Sequence, residues 1–239
     1  MRIFPAIDLR NGQCVRLKQG DYNDETVYGD PIEMAEQWER DGASYLHLVD
    51  LDAAKGDPSE NGQVIEQIVS HVNIPVQVGG GVRDLERIQT LLDKGVTRVI
   101  LGTAAVKDPA FAKEAAAQFG GDRVVVSIDA RDGYVATDGW IETSELEAVD
   151  FAVQMQSYGI KTIVYTDIAK DGMLQGPNID ALYEMNEATS LNVIASGGVT
   201  SLKDIRALND VKLYGAIVGK ALYENKVNLA AIMKEPSTC

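Results

Sequence analysis

Histidine and cysteine are scarce in this 239-residue chain, which carries two of each. With only His47 and His71 to offer, a histidine-built metal centre is not expected. His47 lies in an apolar strand and His71 at the end of a helix, and both read as structural. Cys14 and Cys239 have neither the spacing of a redox CxxC motif nor that of a zinc site. Two such thiols do not make a disulfide framework, so a reducing cytoplasm is the expected compartment. Cys239 is the last residue and is expected to fray. No apolar run nears the roughly 18 residues of a membrane span. The start, Met1-Arg2-Ile3-Phe4-Pro5-Ala6, reads straight into a strand without a signal-peptide core. Positive charge is also short. Twenty-two Lys and Arg stand against 36 Asp and Glu, a net charge of −14. That disfavours nucleic acid and anionic membranes as partners. An anionic metabolite would have to be held by local amides against the overall field.

What is present is one pattern written twice. Val78-Gly79-Gly80-Gly81-Val82 and Val99-Ile100-Leu101-Gly102-Thr103 return as Ala195-Ser196-Gly197-Gly198-Val199 and Ala216-Ile217-Val218-Gly219-Lys220. Both pairs lie 117 residues apart, and Leu85, Ile88 and Leu91 recur as Leu202, Ile205 and Leu208. An apolar strand that ends in glycine before a helix leaves backbone N–H groups facing outward, which suits an anion. Two such places at equivalent positions suggest a ligand with a phosphate at each end. Gly80, Gly81, Gly102 and Thr103 would hold one phosphate, and Gly197, Gly198, Gly219 and Lys220 the other. Arg83 stands beside the first, either as a phosphate partner or as a solvated helix-end cation. Thr200 takes its place in the second half.

Eight apolar runs, each followed by a helical pattern, are read as strands near Ile3–Asp8, Tyr45–Asp50, Val76–Gly79, Arg98–Gly102, Val124–Asp129, Thr162–Thr166, Asn192–Ser196 and Gly215–Gly219. Continuous Val/Ile/Leu runs fit parallel strands buried on both faces. Asp30, Asp108, Asn178 and Ser201 are N-cap choices, and Gly42, Gly95 and Gly159 close helices. The helix after the fifth strand is placed at Ser144–Tyr158. Eight βα units in one chain of this length predict a (β/α)8 TIM barrel in a single domain over residues 1–239. The half-barrels span about 1–120 and 121–239, because Ala6-Ile7-Asp8-Leu9-Arg10-Asn11-Gly12 also resembles Ser127-Ile128-Asp129-Ala130-Arg131-Asp132-Gly133, 121 residues on. Asn11-Gly12 and Asp132-Gly133 are hairpin turns. Each opens a long loop, a candidate lid over the active face.

Asp8 and Asp129 end equivalent strands, so a barrel sets them across its mouth, where paired acid and base chemistry is possible. The bland alternative is that each caps its own loop. Thr166 and Asp171 close the sixth strand. A hydroxyl and a carboxylate there would bind ribose hydroxyls or assist proton transfer, although Asp171-Gly172 also reads as a turn. Trp140, in Thr137-Asp138-Gly139-Trp140, would either stack on a planar base or anchor its loop.

Taken together, Pro5–Gly12, Val49-Asp50-Leu51-Asp52, Val78–Arg83, Ser127-Ile128-Asp129, Thr166–Gly172 and Ala195–Val199 resemble the isomerase family of histidine biosynthesis that acts on phosphoribosylformimino-5-aminoimidazole carboxamide ribotide. The resemblance covers essentially the whole chain. It implies a duplicated barrel, a small-molecule bisphosphate substrate, no cofactor or metal, and a cytoplasmic enzyme; a monomer is expected. Carried over by position, Asp8 is the general base and Asp129 the general acid of an Amadori rearrangement. Thr166 bonds the reacting region, and Asp171 helps to bind substrate. Three rival readings share parts of this pattern. The related cyclase carries Cys-Leu-Asp where this chain has Ala6-Ile7-Asp8. A dual-substrate isomerase would also accept phosphoribosylanthranilate. A non-catalytic phosphosugar sensor would need the glycines but not both carboxylates.

Overall fold

The computed structural model describes residues 1–18, 20–57, 60–137, 139–140 and 142–235; Asp138 and Cys239, named above, lie outside them. The strands among these residues are β1 (Arg2–Arg10), β2 (Gln13–Lys18), β3 (Asp21–Gly29), β4 (Leu46–Asp50), β5 (Val76–Gly79), β6 (Arg98–Leu101), β7 (Val124–Arg131), β8 (Tyr134–Thr137), β9 (Glu142–Glu147), β10 (Thr162–Asp167), β11 (Asn192–Ser196) and β12 (Gly215–Val218). The principal helices are α1 (Pro31–Arg40), α2 (Leu51–Lys55), α3 (Asn61–His71), α4 (Leu85–Asp93), α5 (Thr103–Lys107), α6 (Pro109–Phe119), α7 (Ala148–Ser157), α8 (Ile179–Ala188), α9 (Leu202–Asp210), α10 (Lys220–Tyr223) and α11 (Leu229–Ile232). Strands β1, β4, β5, β6, β7, β10, β11 and β12 pair in parallel all the way round, and β7 against β10 completes the circle. The fold is a closed (β/α)8 barrel.

Strand alternation divides the apolar side chains into two cores. Ile3, Ile7, Val124, Val126, Ile163, Val193 and Ala216 point outward and pack with the helices. Phe4, Ala6, Ile100, Val125, Val164, Ile194 and Ile217 fill the inside of the barrel. Parallel strands sandwiched this way are apolar at nearly every position, which is why the runs carry no period-two signal. Helix ends follow local chemistry. Asp30, Asp108 and Asn178 accept first-turn N–H groups, and Ser201 forms a capping box with Asp204.

Both predicted hairpin turns form. Asn11 and Gly12 have φ of 49° and 74°, and Asp132 and Gly133 of 51° and 84°, the left-handed pair that a two-residue turn requires. Each turn launches an antiparallel arm, β2–β3 from β1 and β8–β9 from β7. The second arm corrects the helix expected over Ser144–Tyr158. Thr143-Ser144-Glu145-Leu146-Glu147 alternates along β9, Ser144 Oγ donates to Val135 O at 2.8 Å, and the helix starts only at Ala148.

The duplication is visible in the backbone. Gly80 and Gly81 have φ of 95° and 68°, and Gly197 and Gly198 of 91° and 83°. A side chain at Gly80 would sit 2.2 Å from the Asp50 carbonyl oxygen, and one at Gly198 2.4 Å from that of Gly176. Each glycine turn is thus pressed against the segment that follows the preceding barrel strand. Asn61 and Asn178 are likewise equivalent, but they carry unequal loads. Asn61 is fully buried, donates to Leu9 O, Asp50 Oδ1 and Asp52 Oδ2, and accepts from Gly12 N. Asn178 donates to Asp167 Oδ2 and accepts from Ala181 N. Losing Asn61 takes one hydrogen bond from each of two buried carboxylates and one from the hairpin turn. Asn61→Ala is therefore expected to cost about 3 kcal/mol in urea unfolding and Asn178→Ala about 1 kcal/mol. Equal losses would contradict this division of labour.

Candidate active site

A cavity of about 1320 Å³ opens at the carboxyl ends of the barrel strands. Asp8, Asp129, Thr166, Asp171, Arg83, Trp140, Gly80, Gly81, Gly102, Thr103, Gly197, Gly198, Gly219 and Lys220 all line it. The barrel therefore gathers these fourteen candidate site residues around one space.

Asp8 follows Phe4 and Ala6 on the inward face of β1. The tight turn pairs it with Val15, so β2 folds back over the mouth and brings Arg16 to it. Arg16 Nη1 lies 2.8 Å from Asp8 Oδ2, with the two side chains only 14% and 13% exposed. Burial pushes the Asp8 carboxyl above its ordinary range; Arg16 opposes that shift and Asp171 adds to it. Asp171 is also pushed up, first by burial, with Arg16 opposing and Asp129 reinforcing. Its neighbour Lys220 donates from Nζ to Gly172 O at 3.0 Å. One guanidinium thus serves two carboxylates, and Arg16 is the residue the sequence reading missed. The signal was there: Val15-Arg16-Leu17 is an arginine between apolar residues on a strand that the Asn11-Gly12 turn must fold back beside Asp8.

Asp129 has different neighbours. Ser127 Oγ donates to its Oδ1 at 3.1 Å, and Trp140 Nε1 donates to its Oδ2 at 2.8 Å. The position equivalent to Arg16 in this half is Thr137, 121 residues on. Asp8 therefore has a cation beside it, whereas Asp129 has a hydroxyl and an indole. Buried Thr166 stands next to Asp129 on one side and Ser196 on the other in strand register. The Trp140 ring also approaches Gly20, where a Cβ would lie 3.3 Å away, so the arms from β1 and β7 meet over the mouth.

The two glycine cradles differ. Gly102 and Gly219 head α5 and α10 without a side-chain cap, the arrangement in which helix-end N–H groups can meet an anion. A side chain at Gly102 would enter open space, whereas one at Gly219 would lie 2.7 Å from Arg16 Nη2. The second cradle is thus walled by a guanidinium. Arg83, at the first, donates from Nη2 to Ala54 O at 2.8 Å, which ties it to the end of α2. Asp50 and Asp52 act as structural acids. Asp50 accepts from Ala53 N, Asn61 and Arg87, and Asp52 from Asn11 N and Asn61. Among the described residues, no His, Cys, Asp and Glu group has the arrangement of a metal site, and no helix is long and apolar enough to cross a membrane.

A closed barrel with a large cavity at the carboxyl ends of its strands, ringed by acids and glycine turns, defines a (β/α)8 protein of the ligand-binding, enzyme-like class. Comparison with protein-family models narrows this class: residues 2–228 match the family described as histidine biosynthesis protein, and the chain belongs to that family. It is 53% identical over 235 residues to a protein of Oceanobacillus iheyensis, covering 98% of each chain. It is 54% identical over 230 residues to one from Lachnoclostridium phytofermentans, covering 96% of each. With one from Alkaliphilus metalliredigens it shares 54% over 233 residues, 97% of this chain and 98% of that one. All three bear the name 1-(5-phosphoribosyl)-5-((5-phosphoribosylamino)methylideneamino) imidazole-4-carboxamide isomerase.

A group held above its ordinary pKa keeps more protons in the folded state than in the unfolded one. The stability it contributes is present below the unfolded value and lost as pH rises through the folded value. Asp171 is such a group. Asp171→Asn should therefore raise the urea midpoint at about pH 8, with a gain that shrinks toward about pH 3. A lower midpoint at the higher pH would show that the Asp171 charge supports the fold.

Proposed function

We infer that this chain is an isomerase of histidine biosynthesis that converts the aminoaldose named by its relatives, an N-glycosylamine with a phosphate at each end, into the corresponding aminoketose. The observation that carries this reading is identity of about half the residues along nearly the whole chain to proteins of that name. The cavity supports it, with acids at its centre and glycine turns in both halves. The substrate is a small molecule. We place the enzyme in the cytoplasm as a monomer, consistent with its buried free Cys14.

The chemistry is an internal proton relocation. An acid protonates the ribose ring oxygen, the C1–O bond opens, and a protonated imine remains at C1. A base then takes the proton from C2, and the electron pair of that bond flows toward the imine nitrogen, giving an enolamine. Reprotonation at C1 and loss of the enol proton leave the ketone at C2. Atoms and electrons balance without an external oxidant or reductant. Asp8 is the base: burial raises its pKa toward the range of a general base, and the Arg16 guanidinium 2.8 Å away opposes that rise. Asp129 is the acid by position, across the mouth from Asp8, with Thr166 beside it. Trp140 is positioned to stack on the ligand once its N–H leaves Asp129.

One observation favours a second assignment of the acid. Both oxygens of Asp129 already accept hydrogen bonds, from Ser127 and Trp140, whereas burial pushes the Asp171 carboxyl above its ordinary range, toward the form that can donate a proton. Turnover of the aminoaldose bisphosphate separates the two. Asp8→Asn should lower kcat by about 10²-fold or more with the fold intact, and so should the variant of whichever carboxylate donates the proton, Asp129→Asn or Asp171→Asn. Near-normal turnover in Asp8→Asn would remove it as the base. The absence of turnover in the wild type would remove the isomerase reading itself. Arg16→Met takes away the charge that lowers the Asp8 pKa, and a base must be ionised to act. The acid limb of kcat/KM should therefore move to higher pH. A limb that stays in place would uncouple Arg16 from the base.

A further inference from the structure

Inside the barrel, one inward position below Asp8, three polar side chains stand on adjacent strands. His47 on β4 pairs with Gln77 on β5, Gln77 pairs with Arg98 on β6, and His47 also faces Ala6 on β1. Their exposures are 9%, 0% and 5%. Arg98 Nη2 lies 2.8 Å from Gln77 Oε1, and Gln77 Nε2 lies 3.0 Å from His47 Nδ1. The Arg98 guanidinium is held against the rings of Tyr45, Phe4 and Tyr214, at 4.5, 5.7 and 5.9 Å from their centroids.

This row of bonds has only one possible polarity. A guanidinium donates and never accepts, so the Gln77 oxygen must face Arg98 and the amide nitrogen must face His47. That nitrogen also only donates. Nδ1 of His47 must therefore carry the lone pair, and the ring proton sits on Nε2. The assignment follows from what each group can donate, not from how an amide is drawn. Burial, Arg16 and Arg98 together hold the His47 pKa down to about 3, so the ring stays neutral. His47 lines the floor of the active cavity, and its Nε2 is not among the buried atoms shut off from solvent. Among the described residues the only side-chain bond of the ring is the one from Gln77.

We propose that His47 contacts the substrate, donating its Nε2–H to the oxygen on the carbon that Asp8 deprotonates, and that Gln77 is the positioning residue that fixes the tautomer. The inference rests on the isomerisation proposed above. As that carbon loses its proton, its hydroxyl becomes a carbonyl, and a fixed neutral donor beneath Asp8 holds the oxygen in place. The proton on a neutral imidazole is too weakly acidic to be surrendered, so the contact orients and stabilises without exchanging a proton. A polar row that merely filled the barrel would not need to leave a donor open to the cavity.

The test uses the intact protein. With two histidines in the chain, 15N-labelled side chains give two spin systems, and His71→Gln assigns them. The wild type should show the Nε2–H tautomer for His47. In the Asp8→Asn protein, the Nε2–H resonance should move when the aminoaldose bisphosphate is added. Glutamine places an amide N–H near Nε2 and asparagine near Nδ1, so His47→Gln should keep kcat within about fivefold while His47→Asn loses about 10²-fold, both with little change in KM. Gln77→Glu, nearly the same shape, accepts from Nδ1–H and reverses the tautomer, and should match His47→Asn. An Nδ1–H tautomer in the wild type, a resonance unmoved by bound ligand, or equal kcat in His47→Gln and His47→Asn overturns the proposal. A wild type that binds the bisphosphate without turning it over defeats the isomerase reading, while the resonance shift still decides the contact.

Discussion

The mouth of this barrel depends on the Arg16 guanidinium. In a chain of net charge −14, Asp8, Asp129 and Asp171 converge on one cavity. Buried carboxylates that repel one another shift toward neutral forms or push the structure apart. Arg16 touches Asp8, opposes the upward shift that burial imposes on both Asp8 and Asp171, and lies against the backbone of Gly219. The burial that surrounds it does not neutralise it, because those carboxylates hold its own pKa up. One cation thus opposes the burial that raises the pKa of the proposed base, and forms a wall of the second cradle.

Duplication supplies the frame, and its departures make the two halves of the mouth different. The glycine turns repeat with closely matched dihedrals, and the two hairpin arms rise from equivalent strands. Arg16 faces Thr137 across the pseudo-twofold, Arg83 faces Thr200, and Arg87, which pairs with Asp50, faces the helix-capping Asp204. Two equivalent carboxylates in inequivalent surroundings can take up opposite proton-transfer roles. A perfectly symmetric barrel would give them the same pKa and no division of labour.

The barrel could be read from sequence because its signals are local. Strands buried on both faces are uninterrupted apolar runs, the caps at Asp30, Asp108, Asn178 and Ser201 bond their own first turns, and Asn11-Gly12 and Asp132-Gly133 force hairpins. The arms were harder. Asp21–Gly29 is mostly exposed and polar, and Thr143–Glu147 carries too few apolar residues for its alternation to outweigh a helical reading. What makes those segments strands is the partner across the hairpin, which no short window contains. Asp8, Asp129 and the glycines of the candidate site stood out because the repeat doubled a weak signal, whereas Asp171 has Ala54 at its equivalent position. Arg16 was signalled only by its place in the hairpin, without a counterpart in the repeat, and His47 and Gln77 look like core, so their places beside the mouth follow from barrel register.

The most direct measurement is a crystal structure of the Asp8→Asn protein with the aminoaldose bisphosphate bound. The account predicts one phosphate at the Gly80–Gly81 turn and Gly102, and the other at the Gly197–Gly198 turn with Arg16 beside Gly219. The ribose between them should lie under residue 8, with Asp129 and Asp171 on its far side. Phosphates bound away from either glycine turn, or a sugar out of reach of residue 8, would contradict it.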